Sequence, residues 1–130
     1  MQGSTRLFRR VLPRENDGWV RDENRDCIRL SSAVFSGERM SILIEDTMQS
    51  EDRAPLSALD EHPDFFLVSI TANSARSQKQ EVERTPLDDE PAHGDVVGKK
   101  TRGVRRALCA EAEWLKSPEG LCSDQKVAAA

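Results

Sequence analysis

Residues 64–71, with the sequence DFFLVSIT, form the most β-prone stretch of the 130-residue chain. Large apolar side chains occupy five of these eight positions and would lie on both faces of a strand. A strand that is apolar on both faces belongs in the interior of a sheet, where both faces are covered. We therefore predict a central strand here and build the rest of the fold around it.

Other segments are predicted to supply the neighbouring strands. Residues 6–12 (RLFRRVL) contain apolar residues that suit a strand, and residues 27–30 (CIRL) alternate with the period of two that a half-buried strand shows. Weaker strand candidates are residues 19–20, 81–84 and 95–97. A sheet of four to five strands can be assembled from these segments.

Helices are predicted before and after the central strand. Five residues at helical spacing favour a helix over residues 40–48 rather than a strand. A short helix that begins with a proline is predicted at residues 55–61, and residues 72–80 could hold one turn. The strongest helix is predicted at residues 101–116, where apolar residues recur on one face and the sequence SPEG follows.

These segments predict an α+β fold in which a small mixed or antiparallel sheet carries the C-terminal helix on one face. The length suits a single domain, predicted at residues 1–120, followed by a flexible tail at residues 121–130. Because 37% of the residues are hydrophobic and 32% are charged, we expect a thin core.

The overall charge limits the classes of partner. A formal net charge of −4 argues against a general nucleic-acid binder, which would be basic overall. It leaves room for a local basic patch, because the field at a surface depends on where charges cluster. No apolar run approaches the roughly 18 to 20 residues that span a bilayer, so no membrane partner is predicted.

The three cysteines predict the redox state and the absence of a metal site. Cys27, Cys109 and Cys122 form an odd set without CxxC spacing, and the N-terminus has no secretory leader pattern. We therefore expect three reduced thiols in a cytoplasmic protein. The cysteines and the two histidines lack metal-ligand spacing, so neither a metal nor a cofactor is predicted.

A basic cluster opens the last predicted helix. Cations there oppose the helix dipole, which makes the arrangement unfavourable for stability alone. A bound anion would make it favourable, because free backbone N–H groups and cationic side chains would converge on it. The residues predicted to bind an anion or a partner are His93, Lys99, Lys100, Thr101, Arg102, Arg105 and Arg106.

This cluster has two other interpretations. The acidic residues 88–90 lie about ten positions upstream and could neutralise it through local salt bridges. The sequence Gly98-Lys99-Lys100-Thr101 also resembles the end of a P-loop. That motif requires a glycine at position 93, which is His93 here, so nucleoside-triphosphate hydrolysis is excluded.

Two stretches, residues 7–9 (LFR) and residues 31–35 (SSAVF), resemble the opening strands of the ADP-ribosyltransferase and RES-type NAD-processing folds. The resemblance implies that Arg9 and Ser32 would hold NAD. By position, Glu81 or Glu83 would be the catalytic carboxylate that it implies.

A longer series of residues resembles a family of small uncharacterised bacterial proteins. It includes Arg9-Arg10, Met40-Ser41, His62-Pro63 and the segment that runs from Pro91-Ala92-His93 to Gly98-Lys99-Lys100. This resemblance implies a complete small protein whose signature is residues 91–106, and it implies no activity.

Three functions follow, in order of preference. The first is a non-enzymatic accessory or protein-interaction module whose contact surface is the basic helix start. The second is a module that binds a phosphate-bearing ligand or nucleic acid through the same residues. The third is a minimal or degenerate NAD-processing enzyme of the ADP-ribosyltransferase or RES type.

Overall fold

A computed structural model describes residues 1–129 of the protein, whose centre is a six-stranded antiparallel sheet. The strands, in chain order, are β1 (Arg6–Val11), β2 (Trp19–Asp22), β3 (Cys27–Leu30), β4 (Arg39–Ile44), β5 (Phe66–Thr71), β6 (Glu81–Arg84), β7 (His93–Val97) and β8 (Glu113–Lys116). The sheet has the order β6-β7-β4-β1-β5-β8, and β2 pairs with β3 as a separate hairpin. The helical segments are α1 (Glu45–Ser50), α2 (Ala72–Ser77), α3 (Arg102–Glu111) and two 3₁₀ turns, at Ser32–Phe35 and Pro55–Leu59.

The α+β class is confirmed, and so are the strands predicted at residues 6–12, 27–30, 64–71, 81–84 and 95–97. β5 pairs with β1 at six positions, and its residues 67–70 are all buried. It lies next to the outer strand β8 and not at the middle of the sheet. The backbone of residues 126–128 covers β8, because Trp114 N donates to Lys126 O at 2.9 Å and Ala128 N donates to Trp114 O at 2.8 Å.

Each face of the sheet carries its own hydrophobic core, as strand alternation requires. Leu7 and Val11 of β1 belong to the first core, which also contains Phe35, Leu108 and Trp114. Residues of the second core come from the opposite face of the same strands and from the adjoining helical segments. They are Phe8, Leu43, Met48, Ala58, Leu59, Leu67 and Ala92.

The helix predicted at residues 40–48 is wrong over residues 40–44, where the chain forms β4, and is confirmed only over residues 45–48, which belong to α1. Met40, Ile42 and Ile44 alternate into the first core, and Leu43 enters the second. β4 pairs with β7 at five positions. The helical spacing of the sequence arose because the end of β4 is buried on both faces, at Ile42, Leu43 and Ile44, and α1 then buries Met48 as well.

The helix predicted at residues 101–116 is wrong beyond Glu111, where α3 ends. Ala112 is extended, and β8 then pairs with β5. Trp114 is 1% exposed, so its burial in the first core favours a strand at this position. The sheet has six strands and not the predicted four to five, because the segments of β4 and β8 form strands where the sequence predicted helix. One of these strands, β8, follows the last helix.

Two of the cysteines form a disulfide, Cys27–Cys122, so the expectation of three reduced thiols is wrong. The third, Cys109, is a free thiol whose pKa burial raises to about 11. The segment after residue 120, predicted as a tail, is therefore joined covalently to β3. The side chain of Gln125 adds further contacts, since its Oε1 accepts from Leu30 N at 2.9 Å and from Trp114 Nε1 at 3.1 Å. Residue 130 of the predicted tail lies outside the described residues.

No helix within residues 1–129 has the length and apolar character needed to cross a bilayer.

Candidate functional site

Lys100, predicted as an anion-binding residue, is a buried structural cation. Its side-chain ammonium donates to Val96 O at 2.8 Å, to Gly98 O at 3.0 Å and to Glu38 O at 3.4 Å. Burial lowers the pKa of Lys100. An ammonium has three N–H donors, and three carbonyls face it here, so no donor is left for a ligand. The residue instead joins the loop after β7 to the chain before β4.

The other residues of the basic helix start fall into two groups. Thr101 is the N-cap of α3, since its Oγ1 accepts from Val104 N at 3.2 Å, and Arg105 donates to Lys100 O at 2.8 Å. These two side chains stabilise the start of the helix itself. The second group, Lys99, Arg102 and Arg106, is exposed and has no ion pair within residues 1–129.

The acidic loop at residues 88–90 does not neutralise this cluster. Glu90 forms a bidentate pair with Arg53, with N–O distances of 2.6 and 2.9 Å, and it also accepts from Ala92 N at 3.2 Å. The hydrogen bond from Arg53 lowers the pKa of Glu90. Within the described chain, no ion pair joins residues 88–90 to residues 99–106.

His93 lies away from the basic helix start. It begins β7, whereas Lys99 follows the other end of that strand, so the length of a five-residue strand separates them, about 15 Å. Its Nδ1 lies 2.9 Å from Thr85 Oγ1 and 3.1 Å from Thr85 O. His93 instead lines an opening in the sheet, together with two arginines that were not among the predicted binding residues.

The opening lies between β1 and β4, two neighbouring strands that separate part of the way along. Their pairing is limited to Leu7↔Ile44 and Phe8↔Leu43, whereas β1 pairs with β5 over its whole length. A small cavity of about 60 Å³ lies where the two strands part. Its lining residues are Phe8, Arg9, Arg10, Ser41, Ile42, Leu43 and His93.

Arg9 bridges this opening. Its Nε donates to Val34 O at 3.1 Å, in the first 3₁₀ turn, and its Nη1 donates to Ser41 O at 2.8 Å, in β4. Burial and the charge of Arg10 lower the pKa of Arg9. A guanidinium has five N–H donors, so two of them fix the side chain and three are left without a protein acceptor in the described part of the chain.

Arg10 is fixed in a similar way from the other side. Its Nε donates to Ala58 O at 2.7 Å, in the second 3₁₀ turn, which leaves its terminal N–H groups unused by the protein. Neither Arg9 nor Arg10 has a carboxylate partner among residues 1–129. The two guanidinium groups are therefore fixed from opposite faces of the sheet, and neither forms an ion pair. The charge of Glu90 acts on Arg10 at longer range.

The two arginines also line a larger cleft of about 490 Å³, which we call the arginine cleft. Its lining residues are Arg9, Arg10, Leu12, Asp17, Ala33, Val34, Ser36, His62 and Phe65. Asp17 is exposed and pairs with Arg14 at 3.3 Å, so it does not neutralise the arginines. A further cleft of about 330 Å³ shares Arg10 and contains Arg53 and His93. The sequence feature that could have located this site is the Arg9-Arg10 doublet, which stands between the apolar pairs Leu7-Phe8 and Val11-Leu12 of the first strand.

The residues implied by the resemblance to NAD-processing folds are not brought together. Arg9 shares its face of the sheet with Leu7 and Val11 in the first core. Val82 packs against that core, so its neighbours Glu81 and Glu83 lie on the opposite face, where Glu83 pairs with Arg39. Neither glutamate lines the arginine cleft, and Ser32 does not line it either.

Comparison of the chain with protein-family models, with curated proteins and with solved structures finds no match.

Proposed function

We propose that the protein is a binding module for a small anionic ligand, phosphate-bearing by preference, which binds in the arginine cleft. The observation that supports this function is the pair Arg9 and Arg10, each oriented by backbone carbonyls and neither paired with a carboxylate. This proposal belongs to the second predicted function but moves its site from the basic helix start to the opening between β1 and β4. Interaction with a partner protein through Lys99, Arg102 and Arg106 stays a prediction.

Fixed arginines favour anion binding for two reasons. A guanidinium that is already held in place loses little side-chain freedom when a ligand binds, so more of the interaction energy contributes to affinity. Its remaining N–H groups also match the spacing of phosphate and carboxylate oxygens, which allows two parallel charge-assisted hydrogen bonds. An anion would in addition relieve the repulsion between the two adjacent charges.

The surroundings of the arginine cleft favour a small ligand over a polymer such as RNA. The protein has a net charge of −4, and the neighbouring cleft that shares Arg10 is also lined by Asp60, Glu61 and Asp89. None of these three carboxylates lines the arginine cleft, so they would repel a polyanion that extends into the neighbouring cleft more than a single phosphate group bound in the arginine cleft. A volume of about 490 Å³ lies in the range of sites for small molecules.

Calorimetric titration with inorganic pyrophosphate tests the proposal. We expect wild-type protein to bind it, and Arg10→Gln to bind it roughly tenfold to a hundredfold more weakly, since a charge-assisted hydrogen bond is lost. Arg106→Gln is the matched control, because it removes one positive charge from the other basic cluster, and it should bind as wild type does. Absence of binding to wild type, or equal losses in the two variants, would contradict the proposal.

A further inference from the structure

An aromatic pair lines the arginine cleft beside the two arginines. The rings of His62 and Phe65 have centroids 4.7 Å apart and planes inclined by 30°. Both side chains are half-buried, and both line the cleft that also contains Arg9 and Arg10. The proposed anion-binding function uses neither ring, so the pair needs an explanation of its own.

The position of these rings is well defined. Phe65 N donates to His62 O at 3.0 Å, which closes the turn that carries both residues, and this turn leads directly into β5. The ring of Phe65 also packs partly against the second core. A half-buried ring held in this way offers a flat apolar surface without the entropic cost of ordering a mobile side chain.

We propose that the ligand of the arginine cleft is a nucleotide, with its phosphate group on Arg9 and Arg10 and its base stacked against His62 and Phe65. This inference rests on the proposed anion-binding function. A nucleotide combines the two chemical groups that the lining of this cleft would bind, a compact anion and a planar ring system. Stacking of a base on an aromatic side chain is tolerant of base identity, so the cleft selects the nucleotide class and not one base.

The remaining lining residues are consistent with one nucleotide and not with a strand of them. Leu12 and Val34 supply apolar contacts, and Ser36 supplies an exposed hydroxyl that can donate to a ribose or phosphate oxygen. Asp17 also lines the cleft and carries a negative charge, which disfavours a second phosphate near it.

Parallel titrations of the full chain with ADP, inorganic pyrophosphate and adenosine test the inference. In wild-type protein we expect ADP to bind about tenfold more tightly than pyrophosphate, and adenosine to bind most weakly of the three. Phe65→Leu keeps an apolar side chain but removes the ring, so it should weaken ADP about tenfold and leave pyrophosphate unchanged. Phe66→Leu is the matched control, because Phe66 packs against Trp114 and is outside the cleft, and it should bind both ligands as wild type does.

The outcomes separate this inference from the function on which it rests. If pyrophosphate binds as tightly as ADP and Phe65→Leu does not change the affinity for ADP, the ligand is not a nucleotide, whereas the proposed anion site is still supported. Absence of binding by all three ligands would overturn both. A short RNA that binds more tightly than ADP would also overturn the inference, in favour of a polymer. If Phe65→Leu does not fold, as judged by circular dichroism, His62→Leu provides the same comparison from the other ring.

Discussion

The two basic clusters of this protein differ in how many of their N–H donors the surrounding backbone uses. At the start of α3, Lys100 is buried and donates to three carbonyls, and Arg105 donates to the carbonyl of Lys100 itself. In the opening between β1 and β4, Arg9 and Arg10 also donate to carbonyls, but these bonds use only part of each guanidinium. Three donors on a lysine can all be used by the protein, whereas five donors on an arginine can both fix the side chain and bind a ligand.

The largest expected effect is on stability, and it belongs to Lys100. Lys100→Met keeps the length of the side chain but leaves the carbonyls of Val96, Gly98 and Glu38 without their donor, so we expect a loss of about 3 kcal/mol. Urea unfolding measures it. The exposed neighbour gives the control, since Lys99→Met should change the free energy of unfolding by less than about 0.5 kcal/mol. Equal changes in the two variants would show that Lys100 has no structural role.

The next effect comes from replacing a guanidinium by an ammonium in the arginine cleft. In Arg9→Lys an ammonium cannot reproduce the planar bridge between Val34 O and Ser41 O and also present paired donors to a ligand. We expect pyrophosphate affinity to fall about tenfold and the free energy of unfolding to fall by about 1 kcal/mol. Calorimetry and urea unfolding measure the two quantities. If Arg9→Lys binds pyrophosphate as tightly as wild type does, the guanidinium of Arg9 is not required for anion binding.

A smaller effect comes from Glu90, whose partner is Arg53 and not the basic helix start. Because Arg53 lowers the pKa of Glu90 in the folded state, the pair stabilises the protein above the ordinary carboxyl pKa of 4.5. That stability is lost as pH falls through the lowered value. Glu90→Gln should therefore cost about 1 kcal/mol at pH 7, and the difference from wild type should shrink below pH 4.5. A difference that is constant from pH 7 to pH 3 would contradict this account.

The smallest effect is expected at the other acidic residues of the same loop. Asp88 and Asp89 have no ion pair in the described chain, so the double variant Asp88→Asn, Asp89→Asn should change stability by less than about 0.5 kcal/mol. Thermal unfolding at low ionic strength is the sensitive measurement, since a long-range contact with α3 would be largest there. A loss above 1 kcal/mol would indicate that this loop does neutralise the basic helix start.

Strands with a clear apolar pattern were predictable from the sequence, and strands that directly adjoin a helix were not. β3 and β5 show a clear pattern on one or both faces, and both were found. In β4 the spacing of Met40, Leu43 and Ile44 fits a helix as well as a strand whose end is buried on both faces, and the pairing with β1 and β7 decides between them. The change from α3 to β8 was equally hard to predict. A strand is favoured there because it buries Trp114 in the first core, and that core exists only in the folded protein.

The candidate site depends on contacts that are distant in the sequence, which is why the sequence predicted a different set of residues. Glu38, one of the residues whose carbonyls bind Lys100, is 62 positions away, and Arg10 is fixed by Ala58, 48 positions away. Local charge density pointed to the helix start, where the positive residues are most crowded. The tertiary structure determines which cationic side chains donate hydrogen bonds to the protein's own carbonyls. The disulfide between Cys27 and Cys122, at a separation of 95 residues, was unpredictable for the same reason.

In the proposed function, Arg9 and Arg10 form the anion site and the basic helix start does not. NMR of the arginine side-chain N–H groups, assigned by mutation and recorded during addition of pyrophosphate, tests it most directly. We predict that the terminal N–H signals of Arg9 and Arg10 shift and sharpen as the ligand binds, while those of Arg102 and Arg106 do not change. Shifts confined to Arg102 and Arg106, or no shift at any arginine, would contradict the account.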